Sequence, residues 1–173
     1  MNIYLIGMPG SGKSTIGKLL AKDLSKNFID LDHKIEEKYG LFIDQIIEQY
    51  GEKTFRELET ETLKNLNVTH TIISTGGGIV TIKENKKYMD GFVIYIDTPL
   101  EMIKARLENS YQRPLLKTKS LDDLYDERFL KYQSFADIII SNRNSIELTI
   151  ESIKKVLKEK GIIWKLPLFT VLI

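Results

Sequence analysis

The sequence predicts an α/β fold, a three-layer domain in which five parallel strands carry helices on both faces. Short apolar runs alternate along the chain with longer segments in which apolar residues recur at helical spacing. The runs are apolar at nearly every position, as strands are when helices cover both of their faces. Because strands and helices alternate, we expect right-handed crossovers between parallel strands.

The predicted elements follow one another along a single domain over residues 1–173. The strands are predicted at residues 2–6, 28–31, 71–74, 92–96 and 136–140. In the helix after the first strand, the spacing predicts a core-facing stripe of Ile16, Leu19, Leu20 and Leu24.

Two segments interrupt this alternation. Residues 109–123 are mostly polar and contain Pro114, which predicts a mobile lid. Residues 161–173 form an apolar tail that we expect to pack on its own domain or on a neighbouring chain. The tail is too short to cross a bilayer.

Composition excludes several classes of protein. Lys and Arg total 25 against 24 Asp and Glu, a net charge of +1 that does not favour a nucleic-acid partner. The chain has no cysteine, which excludes disulfides and thiolate metal sites. Its start does not resemble a secretory signal and no apolar run is long enough to span a membrane, so a cytoplasmic protein without a membrane partner is expected. A monomer is a separate expectation.

The clearest motif is GMPGSGKST at residues 7–15, which follows a predicted strand and precedes a predicted helix. It matches the phosphate-binding loop (P-loop) pattern G-x-x-x-x-G-K-[ST], in which backbone N–H groups surround phosphate oxygens. Lys13 can reach the β- and γ-phosphates and the Ser14 hydroxyl can ligate Mg²⁺. The motif predicts a site for Mg-ATP or Mg-GTP, with nucleotide contacts from Gly10, Ser11, Gly12, Lys13, Ser14 and Thr15.

Further polar groups are expected near this loop, because ligands of open α/β sheets bind at the carboxyl ends of the strands. Asp30 and Asp32 end the second predicted strand, where residues two apart point to one face. Three glycines, residues 76–78, follow the third strand. Arg56 and Glu59 share a helix face and can orient each other.

Taken in order, these motifs resemble those of the shikimate kinases from about residue 3 to residue 140. The resemblance rests on the phosphate loop, D-x-D, F-R-x-x-E, S-T-G-G-G, R-P-L-L and an arginine four residues before a tyrosine. It implies the strand order 2-3-1-4-5. The implied activity is transfer of phosphate from ATP to the 3-hydroxyl of shikimate, a step in aromatic amino-acid biosynthesis through chorismate.

The resemblance also implies roles for individual residues. Asp32 would hold or deprotonate the accepting hydroxyl, with Lys13 and the lid residue Arg113 as the other catalytic groups. Asp30 would face Mg²⁺ through water. Arg56 and Arg128 would bind the substrate carboxylate, and Glu59 would orient these arginines. Gly76, Gly77 and Gly78 would form a backbone wall beside the substrate ring. Arg106 would stack on the adenine.

One departure from the family pattern concerns the acceptor pocket. Ile46 and Ile47 stand where relatives have an aromatic residue, so the contact with substrate is expected to loosen or to shift to Phe42 or Phe55.

Several alternatives remain open at this point. Asp30 and Asp32 also suit a helix N-cap followed by a surface acid. Asp97 follows an apolar run as Mg²⁺ ligands of P-loop proteins do, although Thr98 and Pro99 favour a helix cap at this position. Another small-molecule kinase, such as a gluconate kinase, and a nucleotide-dependent regulatory protein are the alternative functions.

Overall fold

The computed structural model describes residues 1–107 and 120–163, and it confirms the predicted sheet. All neighbouring strands pair in parallel, and when they are numbered along the chain their order in the sheet is 2-3-1-4-5. Each strand begins and ends within two residues of its predicted bounds. The five strands are β1 (Asn2–Ile6), β2 (Asn27–Asp30), β3 (Thr71–Ser74), β4 (Gly91–Asp97) and β5 (Ile138–Ser141).

Helices connect the strands as the alternation predicts. The helix Ile43–Lys64 bends at Gly51, whose φ of 85° and ψ of 160° are not helical. Two short 3₁₀ helices, Ile79–Thr81 and Lys83–Tyr88, lead from β3 to β4. The α-helices are α1 (Lys13–Asp23), α2 (Leu31–Tyr39), α3 (Ile43–Lys64), α4 (Leu100–Leu107), α5 (Leu121–Phe135) and α6 (Ile146–Glu159).

The sheet carries a separate core on each face, because successive strand residues point to opposite sides. Ile3 and Leu5 of β1 pack with residues of α1 and α6. Tyr4 and Ile6 of the same strand pack with residues of α4 and α5. All four side chains are buried, so the three-layer architecture is confirmed.

One predicted core position in α1 is wrong. Leu19 is 42% exposed, whereas Ile16 and Leu20 are buried. Gly17 is buried instead, so close to the sheet that a Cβ there would lie 2.6 Å from the ring of Phe28. The helix therefore approaches the sheet through a glycine, which apolar periodicity does not mark as a core position.

The two segments that interrupt the alternation are only partly described. Residues 108–119 and 164–173 lie outside the described residues, so the lid and most of the tail stay predictions. Helix α5 begins at Leu121 behind a Ser120 N-cap, so the last residues of the predicted lid are helical. Ile162 and Ile163 pack against the core of α1 and α6. No helix within the described ranges is long and apolar enough to cross a membrane.

Candidate active site

The phosphate loop connects β1 to α1 and has the conformation that its glycines permit. Gly10 and Gly12 have φ values of 79° and 94°, in the left-handed region that favours glycine. Helix α1 begins directly behind Gly12, and no side chain caps its first N–H groups. These groups and the positive end of the helix dipole therefore face an anion placed over the loop.

The Lys13 side chain is folded back over this loop. Its Nζ atom donates to the carbonyl oxygens of Gly7 and Met8 at 2.9 and 2.8 Å, and to Ser11 Oγ at 3.3 Å. Lys13 is only 6% exposed. The Lys13 ammonium group is thus held beside the phosphate loop by hydrogen bonds to the loop itself.

The outer side of the loop is held by residues that the sequence motifs did not identify. The Ser11 carbonyl accepts hydrogen bonds from Thr98 Oγ1 and from Asn142 Nδ2, each at 2.9 Å. Asn142 Nδ2 also donates to Thr98 Oγ1 at 3.0 Å, and its Oδ1 accepts from Thr149 Oγ1 at 2.8 Å. Asn142 directly follows β5, so the rule that strand carboxyl ends carry the site could have located it.

These contacts also answer the question left open for Asp97. Tyr95 donates its hydroxyl hydrogen bond to Asp97 at 3.2 Å, and the Thr98 hydroxyl binds the phosphate loop. In this fully described stretch, neither side chain accepts a hydrogen bond from the start of α4. The predicted helix cap at Thr98 is therefore wrong, and Asp97 does not line the cleft described below.

Asp30 serves two purposes at once. Its carboxylate caps α2 by accepting from the backbone N–H groups of Asp32 and His33 at 3.1 and 3.4 Å. Its other oxygen accepts from Ser14 Oγ at 2.5 Å, and Ser14 Oγ lies 3.2 Å from Ser74 Oγ. The N-cap part of the alternative is thus confirmed for Asp30, and the cap also brings Asp30 to the phosphate loop; Asp32 is not the surface acid of that alternative, because it lines the cleft.

Asp32 lies in the first turn of α2, because β2 ends at Asp30 and the helix begins at Leu31. The expectation that both aspartates extend from one strand is therefore wrong, although both side chains line the same cleft. Burial, followed by the negative charges of Glu59 and Asp30, raises the pKa of Asp32 to about 7. A carboxyl with such a pKa can accept a proton near neutral pH.

Arg56 and Glu59 form the ion pair that their spacing on α3 predicts. Arg56 Nη1 donates to Glu59 Oε2, and Arg56 Nη2 donates to Glu52 Oε1 at 3.0 Å. Glu59 is fully buried, and this burial raises its pKa although the charge of Arg56 opposes the shift. Arg128 of α5 is 1% exposed and donates from Nη1 to the Gly77 carbonyl at 3.2 Å.

The three glycines after β3 are packed against the site rather than open. A Cβ on Gly76 would collide with Glu59 and lie 2.7 Å from Asp32 Oδ1. A Cβ on Gly78 would collide with the guanidinium group of Arg56, and one on Gly77 would lie 2.6 Å from Pro9 Cδ. Larger residues here would displace the charged groups of the site.

Within the described residues, several buried atoms around these groups have no hydrogen-bond partner. Such atoms are rare in protein interiors, since each unpaired polar atom is costly. Those in the cleft region are Asp32 Oδ1, Arg56 Nε, Glu59 Oε1 and Arg128 Nε. Their concentration at one place indicates a site that a polar ligand completes.

Apart from Ser11, all of the site residues predicted from the sequence that lie within the described ranges border one cleft of about 800 Å³. The Ser11 carbonyl accepts the hydrogen bonds that hold the loop on its outer side. Arg106 lies beside the phosphate loop and donates from Nη1 to the Gly10 carbonyl at 3.2 Å. The two isoleucines that replace the aromatic residue of the relatives lie in different surroundings. Ile46 is buried in the core, and Ile47 lines the cleft with Phe42 and Phe55. Arg113 lies outside the described residues, so its role stays a prediction.

Comparison with known proteins identifies the family to which this cleft belongs. A family model described as shikimate kinase matches residues 9–159. The chain belongs to the shikimate kinase family. A shikimate kinase of Clostridium botulinum (strain Eklund 17B / Type B) is 42% identical over 165 residues, which cover 90% of this chain and 96% of the relative.

Solved structures of shikimate kinases are similar to this chain as well. The enzyme from Acinetobacter baumannii, solved in complex with shikimate, has a TM-score of 0.86 at 35% identity and covers 92% of this chain and 94% of its own. The enzyme from Aquifex aeolicus has a TM-score of 0.82 at 38% identity, with coverage of 94% and 99%. Family membership confirms the resemblance seen in the motifs, makes the chain a kinase with ATP as co-substrate, and sets aside the gluconate-kinase and regulatory alternatives.

Proposed function

We propose that the protein transfers the γ-phosphate of ATP to the 3-hydroxyl of shikimate and releases ADP and shikimate 3-phosphate. The observation that carries this proposal is one cleft in which a phosphate loop faces two buried arginines and an aspartate, Asp32, whose Oδ1 atom is buried. The relative from Acinetobacter baumannii binds shikimate, and the sequence relatives are named for the same acceptor.

On the donor side, the loop and Lys13 would bind the phosphates of ATP. Phosphoryl transfer depends mainly on positioning and on stabilising negative charge, and Lys13 is already held in place by three hydrogen bonds. By its resemblance to the family, Arg106 would stack on the adenine, and its guanidinium group lies beside the loop at Gly10. Arg113 would add positive charge to the transferring phosphate.

The residues present also fit a Mg²⁺ ion. Ser14 and Asp30 offer a hydroxyl and a carboxylate oxygen 2.5 Å apart at the mouth of the loop, and Mg²⁺ prefers such oxygen ligands. No group of three or more carboxylates or imidazoles within residues 1–107 and 120–163 could enclose a metal ion. This fits an ion held largely by nucleotide phosphates and water, with Ser14 as ligand and Asp30 bound through water. When bound, the ion would supply positive charge to the phosphate oxygens.

On the acceptor side, Asp32 would take the proton of the 3-hydroxyl as that oxygen forms its bond to the γ-phosphorus. The bond between the γ-phosphorus and the bridging oxygen breaks, and ADP leaves with the electron pair. The pKa of about 7 suits this role, because the carboxylate is basic enough to accept the proton while about half of the groups are ionised at neutral pH.

Arg56 and Arg128 would hold the substrate carboxylate. Both guanidinium groups are buried, and among the described residues only Arg56 of the two is paired with carboxylates, those of Glu59 and Glu52, whereas Arg128 has no ion-pair partner. The remaining positive charge favours a small organic acid, and the planar fork of arginine matches a carboxylate. Gly76, Gly77 and Gly78 would form the wall beside the ring, while Ile47 and Phe55 would pack against its apolar part.

An acceptor assay tests this proposal. ADP release is measured with ATP and shikimate, with ATP and gluconate, and with ATP alone, and the product is identified by mass spectrometry. We expect rapid release only with shikimate, together with shikimate 3-phosphate. Release that does not depend on an acceptor, or a preference for gluconate, would overturn the proposal.

A further inference from the structure

The Gly77 carbonyl receives two hydrogen bonds from one face of α5. The Tyr132 hydroxyl donates at 2.5 Å, and Arg128 Nη1 donates at 3.2 Å. The two donors are four residues apart and therefore neighbours on the helix surface. The same carbonyl is thus shared between a predicted substrate arginine and a tyrosine that has no assigned role.

Tyr132 is held rigidly at this place. Its side chain is fully buried, and its ring stacks on Tyr95 of β4 with centroids 5.0 Å apart and planes 20° from parallel. Its hydroxyl also lies 3.8 Å from the sulfur of Met8 in the phosphate loop. Burial raises the pKa of Tyr132, so the group stays a protonated donor.

Gly77 is enclosed on its other side by the phosphate loop. A Cβ there would lie 2.6 Å from Pro9 Cδ, 2.7 Å from Pro9 Cγ and 2.9 Å from Pro9 N. Gly77 is therefore wedged between the loop that would hold ATP and the helix that would hold shikimate. A shift of its carbonyl would change the spacing between the two halves of the site.

We propose that Tyr132 is a positioning residue: its hydroxyl holds the Gly77 carbonyl and so releases Arg128 to bind the substrate carboxylate. This inference rests on the proposed function. A carbonyl at such a place needs a donor, and Tyr132 supplies one when Arg128 turns to the substrate. Without the hydroxyl, the carbonyl and the substrate would compete for the same guanidinium group.

The test compares Tyr132→Phe with Tyr95→Phe. Both variants keep the stacked rings and lose one hydroxyl, but only Tyr132 touches Gly77. In Y132F we expect the KM for shikimate to rise about threefold to tenfold, as for one lost hydrogen bond, while the KM for ATP stays unchanged. In Y95F both constants should match the wild type.

A double-mutant cycle separates positioning from a general structural effect. Arg128→Lys removes the competing guanidinium group, so adding Y132F to it should raise the KM for shikimate by less than Y132F does alone. An unchanged KM in Y132F, an equal rise of both KM values, additive effects in the cycle, or failure of Y132F to fold would each overturn the inference. If the wild type does not use shikimate, the proposed function fails instead.

Discussion

The two halves of the cleft differ in how far the protein alone satisfies their polar groups. In the donor half, Lys13 is bonded to two loop carbonyls, and the Ser11 carbonyl receives two donors. In the acceptor half, Asp32, Arg56, Glu59 and Arg128 each keep a buried atom without a partner among the described residues. The donor half is thus preorganised by its own contacts, whereas the acceptor half is completed by its ligand.

This difference has a consequence for stability. Buried polar atoms without partners, and a buried carboxylate with raised pKa, destabilise the free protein. In the acceptor half, the groups that substrate binding needs therefore lower the stability of the free protein. In the donor half, the contacts that position the phosphate loop also stabilise the fold. Substitutions in the two halves should separate these effects.

The largest expected effect is the loss of turnover in Asp32→Asn. An amide cannot accept the hydroxyl proton, so kcat should fall by about 10²–10⁴, the range for a lost general base. ATP affinity should stay near that of the wild type, because Asp32 belongs to the acceptor half. Steady-state kinetics and calorimetric titration with ATP measure the two quantities.

The matched control for this variant is Asp97→Asn, which alters the other aspartate that follows a strand. Asp97 lies outside the cleft, so D97N should retain normal turnover. Normal kcat in D32N would remove Asp32 from the mechanism, and a comparable loss in D97N would restore Asp97 as a metal-ligand candidate.

The next effect concerns the carboxylate clamp. Arg56→Ala should lower kcat/KM for shikimate about tenfold to a hundredfold, the range for a lost charge-assisted hydrogen bond, with the KM for ATP unchanged. Lys38→Ala is the control, since it removes an exposed cation from the neighbouring helix α2. Normal shikimate kinetics in R56A would disprove the clamp.

The smallest effect is expected in the donor half. Thr98→Val removes one of the two donors to the Ser11 carbonyl, so the KM for ATP should rise about twofold to tenfold. Thr98→Ser keeps the hydroxyl and should restore the wild-type value. A change in the KM for shikimate instead would show that the two halves are not independent in the way their contacts suggest.

Sequence reasoning predicted the two halves unequally well. The phosphate loop is contiguous, so its residues, its glycines and its following helix were all recognisable. Arg56 and Glu59 were linked because helical spacing joins them. The contacts of Thr98 and Tyr132 were not predicted, because their partners Ser11 and Gly77 lie far away along the chain and a tertiary contact leaves no periodic pattern.

Local structure limited the remaining predictions. The strand β2 turns into α2 within one residue, so the two aspartates lie in different elements. An alternating pattern cannot show this change, because Asp30 suits both a strand end and an N-cap. Leu19 was misplaced for a related reason, since the closest approach of α1 to the sheet is made by a glycine.

The most direct test of the difference between the halves is the free energy of unfolding of D32N and wild type as a function of pH. The pKa of Asp32 is about 7 in the folded protein against an ordinary value of 3.8 for an aspartate, so its ionisation opposes folding as the pH rises between these values. D32N should therefore be more stable than wild type by roughly 1–4 kcal/mol at pH 8 without ligand. The gain should shrink as the pH falls toward about 4, where the unfolded state also begins to bind the proton. Equal or lower stability of D32N at pH 8, or a gain that does not change with pH, would contradict the account.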